Sequence, residues 1–205
     1  MTGWTVFVPV KPVAIGKSRL AALGAAREEV AVAMVLDTID RAMAADSVER
    51  VVVVTADAAL AACLPPAIEV VREAKPRGID AALLAADAHV RGAGWRAAMP
   101  ADLAGIASAD LEAVLRRARR HPRAVLADAD GTGTTLLTAG PGRAWSSCFG
   151  PDSFAHHLAA GARALEGSRG TRRDIDTVAH LSELQHLLGP RTHHAWRQVA
   201  LTRSA

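Results

Sequence analysis

Arg50-Val51-Val52-Val53-Val54-Thr55 is a β-branched run with no alternation of polar and apolar residues. A strand with one wet face alternates, so a strand that does not must be covered on both sides. Sheets buried on both faces are built from parallel strands joined through helices. Trp4 to Val10 (W-T-V-F-V-P-V) is a second continuous apolar run. Between the two, Arg27 to Ala44 carries helical spacing, with Val30, Met34, Ile39 and Met43 on one face. A strand, a helix and a buried strand in that order form a right-handed crossover unit.

The rest of the chain extends this pattern. Ile68–Val71, Trp95–Met99, Arg123–Leu126 and Thr134–Thr138 read as further strands. Helices are expected over Asp57–Cys63 (stopped by Pro65-Pro66), over Gly78–Val90, and over Ala109–Arg120 with Ser108 as N-cap. Another follows Phe154 and reaches about Leu165, and Thr177 opens a last one reaching about Leu188. Residues 168–173 read as a polar, basic linker, and the segment past Pro190 as a loose polar tail. The expectation is one α/β domain over residues 1–190, a mostly parallel mixed sheet, and a tail over 191–205. The tight connection before Thr134 makes that strand an antiparallel insertion.

Composition narrows the function classes. A net charge of +3, from 24 Lys and Arg against 21 Asp and Glu, is too mild to argue for nucleic acid; a basic pocket for a small anion suits it equally. The arginine pairs 116–117 and 119–120 have no interleaved aromatic residues and read as a solvated helix end. Cys63 and Cys148 are isolated and read as reduced core thiols. With no signal peptide and no bilayer-length apolar stretch, the expected location is the cytoplasm, without a membrane partner. His156-His157 and His193-His194 are sequence neighbours, which diverge by about 100° on a helix and do not chelate one ion. They are read as a helix-surface feature and a tail feature.

Several segments carry chemistry. Lys11, Lys17 and Arg19 lie on a Pro- and Gly-containing loop just past the first strand, at the edge where open α/β sheets bind ligands. Asp102 follows a mid-chain strand. The turn A-D-A-D-G-T-G-T-T (127–135) sets Asp128 and Asp130 beside glycines and threonines; its aspartates could equally be ordinary turn residues. Asp174 and Asp176 form a late carboxylate pair. Phe149-Gly150-Pro151-Asp152-Ser153 opens a helix whose free N–H groups and Ser153 hydroxyl suit a phosphate or carboxylate, unless it is a plain capped helix. Cations, hard oxygen ligands and a hydroxyl-rich turn are the parts of nucleotidyl transfer with a divalent metal. The Walker spacing is absent.

Five segments in order, V-P-V-K-P-V-A-I-G-K-S-R-L-A (8–21), P-A-D-L (100–103), A-D-A-D-G-T-G-T-T-L-L (127–137), F-G-P-D-S-F-A-H-H-L (149–158) and D-I-D-T (174–177), resemble the guanylyltransferases of coenzyme F420 biosynthesis. These join GTP to 2-phospho-L-lactate or phosphoenolpyruvate. The resemblance implies a single Rossmann-like nucleotidyltransferase domain of the GT-A-like kind that uses Mg2+. It implies Asp102 and Asp176 as metal carboxylates with Asp174 as helper. Lys17 would sit on the triphosphate with Lys11 and Arg19 nearby. Thr135, Gly150 and Ser153 would hold the phosphoacid, and Gly78 and Asp80 would lie near guanine or ribose. The implied partners are GTP and a phosphorylated three-carbon acid; the downstream transferase of the pathway and a second copy of the chain are compatible with it.

Four positions depart from the family's pattern: Ala104 where proline is usual, Asp80 where asparagine is usual, and Val178 with His180 at the start of the last helix. A carboxylate at position 80 removes a donor and adds repulsion toward phosphate. Phosphoenolpyruvate is the favoured acid, on an alanine- and arginine-rich composition of actinobacterial type, ahead of 2-phospho-L-lactate and 3-phospho-D-glycerate. The alternatives are another nucleotidyltransferase of the same fold, of molybdopterin or sugar type, and a non-catalytic nucleotide-binding descendant.

Overall fold

The computed structural model describes residues 3–12, 18–92 and 94–203. Lys17 lies outside them, as does the side chain of Arg19. Strands β1 (Trp4–Val10), β2 (Val48–Thr55), β3 (Glu69–Arg72), β4 (Trp95–Ala98), β5 (Arg123–Ala127), β6 (Thr134–Ala139) and β7 (Arg163–Leu165) form one seven-stranded sheet. Its order is β3-β2-β1-β4-β6-β5-β7. β1, β2, β3 and β4 pair in parallel, β6 runs antiparallel to β4 and β5, and β7 is parallel to β5. The run that lacks alternation is covered as expected: Val51 and Val53 pack into the core on one face of the sheet, Val52 and Val54 into that on the other.

Helices α1 (Arg27–Met43), α2 (Ala58–Cys63), α3 (Ile79–His89) and α4 (Ser108–Ala118) follow the expected positions. Asp57 caps α2 by accepting from Leu60 N at 3.0 Å. Ser108 is the first residue of α4 rather than its N-cap, a position held by Ala107, which makes no side-chain cap bond. Residues 18–26 form 3₁₀ turns with a kink at Gly24.

The second half of the chain departs from expectation in four ways. The helix after Ser153, α5, is short (Ser153–Ala159); Gly161 at φ 84° turns the chain out of it, and residues once expected as helix form β7. The linker contains a one-turn helix, α6 (Arg169–Arg172). The last expected helix, α7, covers only Val178–Glu183.

The segment past Pro190 is not loose. It is helix α8 (Pro190–Arg203), packed against α1 with Thr192, Ala195 and Val199 buried. Its N-terminal cap comes from Asp37, a carboxylate on α1 that accepts from Thr192 N at 2.7 Å and Arg191 N at 3.3 Å. A carboxylate at a helix N-terminus satisfies free N–H groups and the helix dipole together. Both cysteines are exposed, which corrects their assignment to the core. No helix among the described residues is long and apolar enough to cross a membrane.

Candidate nucleotidyltransfer site

The carboxyl ends of β1, β2, β3 and β4 open into a cavity of about 500 Å³. Lys11 enters it past β1, Glu73 past β3, Gly78 ahead of α3, and Asp102 past β4. Asp176 reaches it from the loop before α7. Much of the remaining wall is apolar, from Met34 and Val35 of α1 to Ile79 and Ala82 of α3.

Asp102, Asp174 and Asp176 bring one carboxylate oxygen each to within 4.8 Å of one another. The backbone explains how residues over 70 positions apart meet. Ile175 is fully buried in the core beneath α7 and donates its N–H to Asp102 O at 3.0 Å. With Ile175 turned inward, its two neighbours face the opposite side, toward Asp102. Thr177 caps α7 by accepting from His180 N at 3.2 Å, and Asp176 N donates to His180 Nδ1 at 3.3 Å. The unusual His180 therefore braces the D-I-D loop.

α6 fixes the other end of that loop. A Cβ on Gly170 would fall 2.3 Å from the carbonyl oxygen of Gly105, so only glycine allows this approach to the segment after Asp102. Arg172 donates from Nη2 to Asp128 O at 2.7 Å and from Nε to Ala127 O at 3.2 Å. Three hard oxygen donors from this braced loop and Asp102 match the ligand preference of Mg2+ or Mn2+.

The turn between β5 and β6 closes on itself. The Asp128 carboxylate accepts from Thr132 N at 3.0 Å and Gly133 N at 2.8 Å, and Asp130 pairs with Arg173 at 3.1 Å. Both are turn residues here, the plainer of the two roles open to them. Thr135 is buried, with its hydroxyl 3.5 Å from Ala127 O. Ser153 is buried and donates to Thr134 Oγ1 at 3.1 Å; Gly150, at φ 136°, is exposed beside it. Thr135, Gly150 and Ser153 share the β6–α5 side of the edge and do not line the large cavity. Asp80 does not line it either: its Oδ1 accepts from Phe149 N at 3.1 Å, tying α3 to the loop that precedes α5.

His157, expected on a helix surface, is buried behind this loop. Its Nε2 accepts from Cys148 N at 2.9 Å, so the neutral ring carries its proton on Nδ1 and donates to Thr134 Oγ1 at 3.0 Å. Burial first, and then the charge of Arg123, pushes His157 down to about 4. The sequence offered no sign of this role beyond a histidine four residues after Ser153, one helical turn on.

Comparison with known proteins agrees with this geometry. Residues 4–185 match the family described as guanylyl transferase CofC like. The phosphoenolpyruvate guanylyltransferase of Salinispora arenicola is 43% identical over 196 residues, covering 92% of this chain and 91% of that protein. That of Thermomonospora curvata is 41% identical over 197 residues, covering 92% and 86%. In fold, the chain superposes on a nucleotidyl transferase from Methanothermobacter thermautotroptrophicus with a TM-score of 0.65 and 18% identity, covering 97% and 100% of the two chains. It also superposes on Rv0371C of Mycobacterium tuberculosis in complex with manganese, with a TM-score of 0.57 and 22% identity, covering 89% and 97%. The chain thus belongs to the CofC-like guanylyl transferase family, on a nucleotidyltransferase fold.

Proposed function

We propose that this enzyme transfers the guanylyl group of GTP to phosphoenolpyruvate, releasing pyrophosphate, in the assembly of coenzyme F420. The observation that carries the reading is the cluster of Asp102, Asp174 and Asp176 on the rim of a nucleotide-sized cavity. The names of the 43% and 41% identical relatives support the choice of acid.

A phosphate oxygen of the acid attacks the α-phosphorus of GTP and forms the new P–O bond. The bond to the bridging oxygen breaks in line, and pyrophosphate leaves with the electron pair. A phosphate nucleophile is already ionised near neutral pH, so positioning and charge compensation carry the rate without a general base. Asp102 and Asp176, with Asp174 beside them, would hold Mg2+, which when bound offsets the negative charge of the phosphates. Lys11 adds positive charge within the cavity, and Lys17 and Arg19 extend the same basic segment. Thr135, Gly150 and Ser153 receive the acid, whose small size suits their crowded surroundings.

The test is pyrophosphate release with GTP, Mg2+ and, in separate reactions, phosphoenolpyruvate, 2-phospho-L-lactate and 3-phospho-D-glycerate, with the downstream transferase present to draw off product. Turnover with phosphoenolpyruvate supports the full reading. Turnover only with another acid replaces the substrate, and binding of GTP without release from any of them marks a nucleotide-binding protein that has lost catalysis.

A further inference from the structure

Glu73 is the acid of the cavity wall that the metal cluster leaves over. It is the first residue after β3, and its N–H donates to Thr55 O at 3.0 Å, which prolongs the β2–β3 ladder by one bond and holds its backbone in place. Its Oε1 is buried, and among the described residues no donor is within hydrogen-bond reach of it. A buried carboxylate oxygen without a partner is costly, and one at a cavity wall is satisfied by what enters the cavity.

From this we infer that Glu73 reads the guanine base, accepting from N1–H and the exocyclic 2-amino group. The inference rests on the proposed use of GTP. Of the four bases, only guanine presents two adjacent donors on its Watson–Crick edge. Adenine and cytosine put an unprotonated ring nitrogen beside their amino group, and uracil flanks one N–H with two carbonyls. A carboxylate bonds the first and repels the others.

Position separates the base from the ribose as the group read. Glu73 follows β3 and Asp102 follows β4, with β2 and β1 between them. Three strand spacings of ~4.8 Å set the two edges about 14 Å apart, a separation that an α-phosphate held through an ion at Asp102 would span with the far edge of its base and not with its sugar. Around Glu73 the wall is apolar, with Val54, Pro76, Ile79 and Ala82, which suits a flat ring. Asp80, the next acid along the chain, is engaged with Phe149 N and is not available for this role.

The experiment compares kcat/KM for GTP, for ITP (which lacks the 2-amino group) and for 2′-deoxy-GTP, in the wild type, Glu73→Gln and Glu73→Ala. Wild type should prefer GTP over ITP by about tenfold or more. Both variants should lose GTP turnover and bring the GTP/ITP ratio to within about threefold of one, while the GTP/2′-deoxy-GTP ratio stays as in the wild type. Glu73→Gln keeps the side chain's size, and thermal unfolding of both variants should match the wild type. A wild type indifferent to ITP, or a ratio unchanged in the variants, overturns the inference while leaving GTP as substrate. Collapse of the 2′-deoxy-GTP ratio instead reassigns Glu73 to the ribose. A wild type that neither binds nor turns over GTP removes the proposed function and this inference together.

Discussion

Where β3, β2, β1 and β4 end, the carboxylates of Asp102 and Asp176 and the chain at Lys11 face a cavity of about 500 Å³. Where β6 and β5 meet, on the same edge of the sheet, the polar groups face one another. Asp128 takes the amides of its own turn, Arg172 takes its carbonyls, and Ser153, Thr134, His157 and the Cys148 N–H form one chain of hydrogen bonds. One half is built to receive charge from outside; the other is built to hold its shape. On the proposed function, the difference assigns different energetics to the two substrates. A triphosphate would meet Lys11 and the divalent ion that the carboxylates would hold, whereas a small acid at Thr135 and Ser153 would exchange hydrogen bonds already made, so fit would govern its recognition more than net attraction.

The largest expected effect is in the open half. Asp176→Asn keeps size and removes a charge, so it should cut pyrophosphate release by about a hundred- to a thousandfold, with thermal stability nearly unchanged. An effect below tenfold would break the comparison by showing that the cluster is not where charge is managed.

The closed half has a signature in pH. His157 is held at about 4 in the fold against an ordinary 6.5. Above about pH 6.5 the ring is neutral whether folded or unfolded, and it makes no pH-dependent contribution. As pH falls from 6.5 toward 4, the unfolded chain takes up a proton that the native ring refuses, so stability declines, by on the order of 3 kcal/mol over that window. Denaturant unfolding at pH 7 and at pH 4.5 should show the loss, and His157→Gln should flatten it. A wild type whose stability is level across the window would show that the hydrogen-bonded chain is not the rigid element described.

A control lies outside both halves. Asp37→Ala removes the cap of α8 and should lower unfolding free energy by about 2 kcal/mol, leaving kcat close to wild type. The smallest effect expected is for Ser153→Ala, which removes one hydroxyl. It should raise KM for the phosphoacid about tenfold with KM for GTP unchanged. A matching rise for both substrates would mean that the two halves do not divide the substrates between them.

The open half was the more legible in the sequence. Parallel strands buried on both faces announce themselves as unbroken Val runs, and the candidate residues follow strand ends within a few positions, as Lys11 and Asp102 do. What escaped notice depends on partners remote in the chain. α8 looked like a polar tail because its cap, Asp37, lies more than 150 residues earlier. β7 looked like the end of a helix because a three-residue strand gains its identity only from its neighbour β5. His157 looked like a surface feature because its burial comes from the β6 side of the sheet. Glu73 carries no motif at all; its place at the end of β3 is what identifies it.

The measurement that bears most directly on the central claim is pyrophosphate release from GTP and phosphoenolpyruvate by the wild type and by Asp102→Asn, run side by side with Mg2+ and with the product trapped. The account predicts release by the wild type that depends on the acid, and a fall of about a hundredfold or more in the variant while its fold is retained. Release that persists in Asp102→Asn, or release from the wild type that does not depend on the acid, would contradict it.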